Sequence, residues 1–284
     1  MNQLSSQKRA QIVAALVEGN SIRGTVRMTG AAKNTVTKLL VDLGRACSDY
    51  QDQTLRNLAS KRIECDEIWS FCHSKQKNVS PERGGEFGYG DVWTWVAIDA
   101  DTKLVPTWLV GERNLADAYA FVDDLRRRLK GRVQLTTDGL RIYLDVVDTL
   151  MRDKVDYAVL HKVYGKEAGN ETRYSPAVCT GTEKKIMMGD PDPRLISTSY
   201  IERQNLTMRM GMRRFTRLTN AFSKKVENLG HAVSLHFMHY NFARPHKTLS
   251  KPYPRTPAMA AGITDHVWGM NEIVGLLDKE GGSN

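Results

Sequence analysis

From Lys61 to Phe71 apolar and polar residues alternate, with Ile63, Cys65, Trp69 and Phe71 on one parity and Glu64, Asp66, Ile68 and Ser70 on the other. This is the period of a β-strand. It constrains the chain more than any other stretch, because it sets an acid, Asp66, in the middle of a strand. A buried carboxylate there is costly without a partner, so Asp66 either lies near a sheet edge or serves a function.

The elements that follow come in a definite order. After a Gly-, Lys- and Arg-rich loop from Ser74 to Asp91, residues 91–99 read as a second strand, 99–103 as a turn and 104–110 as a third strand, which Pro106 sends to an edge or a bulge. Leu115 to Lys130 has helical spacing, with Ala118, Phe121, Val122, Leu125 and Leu129 inward and Arg126, Arg127 and Arg128 solvated. Val133 to Thr137 is a short strand that ends on Asp138-Gly139. Ligands gather at the carboxyl ends of strands in open α/β sheets, although Asp-Gly also makes simple turns. Residues 142–151 read as a helix and 156–160 as another strand. Tyr164 to Ser197 then holds a candidate hairpin at 177–188 and the breakers Gly189-Asp-Pro-Asp-Pro193.

A helix starting near Ser199 places Glu202, Asn205, Arg209 and Arg213 on one stripe. Between Arg203 and Lys225 there is no acid, while Arg203, Arg209, Arg213, Arg214, Arg217, Lys224 and Lys225 are cationic. A lone carboxylate heading a face suited to phosphates opposes binding unless a divalent metal lies between them, which makes Glu202 a candidate ligand. A solvated acid at a positive helix N-terminus is the plainer alternative.

Ahead of this, Ser5 or Ser6 can cap a first helix that closes at Gly19, and Ser21 caps a second. Thr29-Gly30 is a turn, and a third helix turns Val36, Leu39, Leu40 and Leu43 inward and Lys33, Asn34, Thr35, Thr37 and Lys38 outward. This is the pattern of a helix-turn-helix, whose third helix would suit base edges and phosphates. Ser48 to Ser60 is polar and reads as a linker, helical in part. Near the other end, residues 226–242 read as an amphipathic helix carrying His231, His236 and His239, taken as packing or solvated groups. Arg244-Pro-His246 ends it, where Arg244 and Lys247 suit either a phosphate contact or a structural capping role, and short helices follow at 256–262 and 271–279.

The net charge of +9 is concentrated in these basic stretches, so nucleic acid is the leading partner. The four cysteines form no CxxC pair, which argues against a zinc knuckle and for a reducing compartment. No apolar signal core or membrane-length run is present, so a cytoplasmic protein, nucleoid-associated when on DNA, is expected.

Three strands, a helix, a strand, a helix, a strand and the Glu202 helix are the element order of an RNase H-like α/β fold. The expected architecture is a mixed five-stranded sheet flanked by helices and preceded by a small all-α helix-turn-helix domain. Its divisions are a DNA-binding domain at 1–47, a linker at 48–60, a catalytic domain at 61–242 with an insertion at about 164–197, and a helical extension at 243–284. Three carboxylates gathered within about 4 Å would repel by roughly 4 kcal/mol per pair at an effective dielectric of 20. Cations would have to balance them, and oxygen ligands select Mg²⁺ or Mn²⁺ over zinc.

Asp-Glu-Ile-Trp at 66–69, Thr-Thr-Asp-Gly at 136–139, Tyr-Ile-Glu-Arg-Gln-Asn at 200–205 and Tyr-Asn-Phe-Ala-Arg-Pro-His at 240–246 together resemble a bacterial insertion-sequence transposase of the DDE class, in the retroviral-integrase superfamily. The resemblance implies a catalytic, metal-binding trio of Asp66, Asp138 and Glu202 with two divalent ions. It further implies a DNA-binding N-terminus, cut-and-join chemistry at element ends in double-stranded DNA, and a homo-oligomer on DNA. The interval between Asp138 and Glu202 is longer than in many relatives; Glu67, beside Asp66, is a rival ligand on the opposite strand face, and Glu183 is a remote rival for the third role. A DNA-binding regulator with a non-catalytic α/β domain, and a hydrolytic nuclease of the same fold, are the competing readings.

Overall fold

The computed structural model describes residues 4–165, 178–216 and 220–280. The chain opens with three helices, α1 (Ser6–Val17), α2 (Ile22–Thr29) and α3 (Lys33–Thr54). Ser5 and Ser21 cap the first two, and Gly30 ends α2 in the left-handed conformation at φ 69°, which favours glycine. The strand β1 (Arg62–Cys72) is followed by β2 (Gly90–Asp99), β3 (Trp108–Gly111), α4 (Leu115–Arg128), β4 (Val133–Thr137), α5 (Ile142–Met151), β5 (Val155–Gly165) and β6 (Val178–Met188). Last come α6 (Ser199–Gly211), α7 (Val226–Met238), α8 (Pro257–Ala260) and α9 (Met270–Glu280).

The strands form one mixed sheet in the order β3-β2-β1-β4-β5-β6. β1 is antiparallel to β2 and parallel to β4. Asp66 is therefore not near an edge, because its strand has partners on both sides and its register partner in β2 is Val96. The sheet has six strands where the sequence suggests five. Residues 178–188 run as one strand, antiparallel to β5, in place of the expected hairpin. They supply hydrogen-bond partners to backbone groups that an open β5 edge would leave exposed. Pro106 lies outside β3, which starts at Trp108 and forms the opposite edge, as the missing proline N–H requires.

Apolar layers cover both faces of the sheet. One contains Ile63 and Cys65 of β1 with Phe121, Leu125, Tyr143 and Val147 of α4 and α5, and is continuous with Val36, Leu40 and Leu43 of α3 and Ile273 of α9. The other contains Ile68, Cys72 and Val96 with Ile201 and Met208 of α6 and Leu229, Val233 and Phe237 of α7. The N-terminal helices thus share a core with the sheet.

Two expectations about the N-terminal half change. Residues 48–54 continue α3, and Gln51, Leu55 and Leu58 are buried. Gly44 does not stop this helix: a Cβ there would meet the backbone of His231 at 2.7–2.8 Å, so glycine permits the close crossing of α3 and α7. Arg128, expected in solvent, is buried. Its guanidinium reaches Asp124 at 2.7 Å and Asp52 at 2.8 Å, and donates to the carbonyls of Gln51 and Leu55 at 3.3 Å, joining α4 to the end of α3.

Candidate active site

Parallel pairing of β1 with β4 fixes the heart of the site. Cys65 pairs with Thr137, so the next residues, Asp66 and Asp138, emerge side by side. Asp66 is held twice: Oδ1 accepts the Glu67 backbone N–H at 2.8 Å and Oδ2 accepts from the Asn205 amide at 2.8 Å. Asp138 Oδ1 accepts the Leu140 N–H at 3.0 Å. Gly139 has a stronger reason than turn geometry, since a Cβ there would lie 2.3 Å from the ring of His161 on the neighbouring strand. Glycine at this point lets an imidazole lie beside the strand end.

Glu202 comes to the same place from α6. Asp66, Asp138 and Glu202 line one cleft of about 550 Å³, together with His161, Lys162, Thr198, Asn205 and Arg209. The Glu202 carboxylate accepts from Thr198 Oγ1 at 2.6 Å and forms an ion pair with Lys162. Burial pushes the Asp66 carboxyl up to about 6, with the negative charges of Asp138 and Glu202 adding to the effect.

Glu67 is closer to this group than its place on the other strand face suggests. Carboxylate oxygens of Asp66, Glu67 and Asp138 all lie within 4.8 Å of one another, because Asp138 stands beyond the end of β4 and can be approached from both faces. The Glu67 side chain is fully buried, however, and Arg113 holds it at 3.1 Å while also lying 4.0 Å from Asp138. Burial raises the Glu67 carboxyl to about 7. Glu202 is 40% exposed at its side chain and faces the open cleft, which makes it the better candidate for a ligand that must also reach a substrate. Glu183 is on the edge strand β6, paired with Lys185. An all-oxygen donor set in which three carboxylates converge fits a hard divalent cation.

The basic residues divide into groups. Arg209 lines the acidic cleft, but the stripe predicted to continue to Arg213 breaks where α6 ends at Gly211. Arg213, Arg214, Lys224 and Lys33 line a different cavity. Asn205, expected at a DNA surface, is buried and serves Asp66. Arg203, Lys225 and Arg244 are exposed, as are Lys33, Asn34 and Lys38 at the start of α3, where Thr35 and Thr37 are half-buried. Lys38 pairs with Asp42 at 2.5 Å. Arg217 lies outside the described residues. His239 is buried, and so is His236, which lines that second cavity.

Sequence reasoning missed Glu64. It is buried, and one carboxylate oxygen accepts the backbone N–H groups of Tyr200 at 2.8 Å and Ile201 at 3.0 Å, the first turn of the helix that carries Glu202. The available signal was its parity with Asp66, two residues on. Arg113, Lys162 and His161 had no such signal, because their approach depends on strand order.

Residues 88–175, from β2 across Asp138 into β5, match a transposase family model described as a DDE domain. That stretch of the chain is similar to the DDE domains of transposases. No curated protein matches it. Among solved structures, the chain is similar to the piggyBac transposase in a synaptic complex with hairpin DNA, at 10% identity and a TM-score of 0.43, covering 100% of this chain and 74% of that one. It is also similar to the Mos1 mariner paired-end complex with Mn, at 12% identity and a TM-score of 0.34, covering 100% of this chain and 81% of that one. Neither likeness bears on residue roles. Among the described residues, no helix is long and apolar enough to cross a membrane.

Proposed function

We propose that this chain is a DDE transposase that binds the ends of an insertion element in double-stranded DNA and carries out divalent-metal-dependent phosphodiester cleavage and strand transfer. The observation that carries this reading is the meeting of Asp66, Asp138 and Glu202 in one cleft, contributed by two adjacent parallel strands and a helix distant in sequence. In this reading the three carboxylates hold two Mg²⁺ or Mn²⁺ ions. Such ions, when bound, activate an attacking oxygen and stabilise the leaving oxygen of a phosphodiester.

The chain's own residues then have distinct tasks. Asn205 fixes the Asp66 carboxylate, and Thr198 with Lys162 fixes Glu202. Glu64 anchors the first turn of α6, so the third acid is placed by β1 as well as by its own helix. Arg209, within the cleft, is suited to a phosphate of the bound strand, and Arg203, Lys225 and Arg244 offer further sequence-independent contacts outside it. The first turns of α3, with Lys33, Asn34, Thr35, Thr37 and Lys38, are the proposed recognition surface in a helix-turn-helix. Two element ends must be handled together, which calls for a homo-oligomer on DNA.

The test is a nicking and joining assay on DNA carrying the element's ends, in Mg²⁺ or Mn²⁺. Joined products in the native protein, absent in EDTA, support the proposal. Release of 3′-ends that are never joined would indicate a hydrolytic nuclease, and DNA binding with no metal-dependent product would indicate a regulator.

A further inference from the structure

A second cavity, of about 650 Å³, lies where the N-terminal helices meet the segment from the end of α6 to α7. Its closure depends on a close approach between two glycines: a Cβ on Gly19, at φ 80°, would meet the Gly211 carbonyl oxygen at 2.9 Å. The size is in the range that encloses a small ligand.

Its chemistry is divided. Leu16, Leu40, Phe222 and Leu235 give an apolar floor. The cations Arg23, Lys33, Arg213, Arg214 and Lys224 also line it, and no acid is among its lining residues. Two of the polar groups want a partner. Arg214 is half-buried, and its hydrogen bond goes to the neutral Ser223 hydroxyl at 2.7 Å; among the described residues no carboxylate pairs with it. The imidazole of His236, over nine-tenths buried, has an Nε2 atom without a hydrogen-bond partner among the described residues. A half-buried guanidinium calls for an anion, and an unpartnered ring nitrogen over an apolar floor calls for a flat ligand with polar edges.

We propose that this cavity binds one nucleotide unit, its base on the Phe222 floor within reach of His236 and its phosphate on Arg214 and the surrounding cations. Base stacking on an aromatic side chain beside a cationic groove is a general means of holding an unpaired nucleotide. The unit is a free nucleotide or one residue of an unpaired DNA strand, and the chemistry is the same in both. Only the second source rests on the DNA reading above. The cavity shares no lining residue with the acidic cleft, so its binding needs no metal.

The test uses the full chain in EDTA with two fluorescent probes, 2-aminopurine deoxyriboside monophosphate and a single-stranded oligonucleotide containing one 2-aminopurine. Binding is followed by anisotropy and shielding of the base by acrylamide quenching. The expected result is shielding of at least one probe, weakened about tenfold or more in Arg23→Gln/Lys224→Gln, where both substituted side chains are exposed and folding is not at risk. Ala232→Trp, which fills the cavity, should abolish shielding, with circular dichroism reporting its fold. Shielding of the monophosphate identifies a free nucleotide as sufficient; shielding of the oligonucleotide alone identifies a strand. The proposal is overturned if neither probe is shielded, if the double variant leaves shielding unchanged, or if an oligonucleotide abasic at the probe position binds as tightly as the intact one. Loss of element cleavage with shielding intact would count against the proposed transposition chemistry and leave this site standing.

Discussion

The Glu64 carboxylate accepts the backbone N–H of Ile201 at 3.0 Å, tying the centre of the sheet to the first turn of α6. The same oxygen takes the Tyr200 N–H, so a strand residue does what a helix cap normally does. Glu202 is the next residue along. A buried acid that does not line the cleft thus sets the position of one that does.

Replacing Glu64 separates these effects. Glu64→Ala leaves the buried Ile201 N–H and the part-buried Tyr200 N–H without an acceptor and should cost about 1–3 kcal/mol of stability. Glu64→Gln keeps an acceptor oxygen and should recover most of that loss. Chemical denaturation of both variants checks the order, and equal stability of Ala and Gln variants would count against the capping role.

The crowded carboxylates give a pH signature. Asp66 is pushed to about 6, chiefly by burial and then by Asp138, which is above the usual aspartate range near 4. A raised folded-state value means that stability is fully present below the unfolded-state value and is lost as pH rises through about 4 to 6. Buried His236, lowered by burial to about 3, acts in the opposite direction. The informative quantity is therefore the difference in Tm between Asp66→Asn and the native protein in EDTA. It should move in favour of the variant as pH rises from 4 to 7, and a difference constant with pH would contradict the assignment.

Lys162 occupies the Glu202 carboxylate. Its positive charge lowers the attraction of the cleft for a divalent cation, and a bound ion must compete with it for the same oxygens. Lys162→Gln should therefore tighten Mn²⁺ binding several-fold, as read by electron paramagnetic resonance of free Mn²⁺. Weaker binding in this variant would show that Lys162 orders the acid more than it competes for it.

Arg128 is expected to matter for stability alone. Its charged hydrogen bonds to Asp52 and Asp124, both partly exposed, and to two carbonyls make Arg128→Met a loss of about 2–3 kcal/mol. Thermal and urea unfolding test this, and metal affinity at the folded variant should be unchanged.

The contrast between what the sequence foretold and what it missed follows the range of the interactions. Strand alternation around Asp66, the helical spacing of α4 and the caps at Ser5 and Ser21 are local, and their elements form where expected. The place of Asp138 just past the end of β4 was legible because a strand end followed by Asp-Gly is also a local pattern. The length of α3 was missed because Ser48 to Ser60 is polar, whereas the helix runs on to Thr54 beside α7, which the missing side chain of Gly44 admits. The place of Arg128 in the core was missed because its partners come from another helix, far away in sequence. Arg213 left the predicted stripe because helical phase carries information only while the helix lasts, and α6 ends at Gly211. The nearness of Glu67 to Asp138 needed the strand order, which periodicity does not contain.

The central claim is that Asp66, Asp138 and Glu202 act together as a divalent-cation site. Its most direct test is Mn²⁺ binding to the native protein and to Asp66→Asn, Asp138→Asn and Glu202→Gln, measured by electron paramagnetic resonance at pH 7.5 with folding checked by circular dichroism. The account predicts that each folded variant loses tight Mn²⁺ binding, with affinity reduced about tenfold or more. Native-strength binding in the Asp138→Asn and Glu202→Gln variants would contradict it.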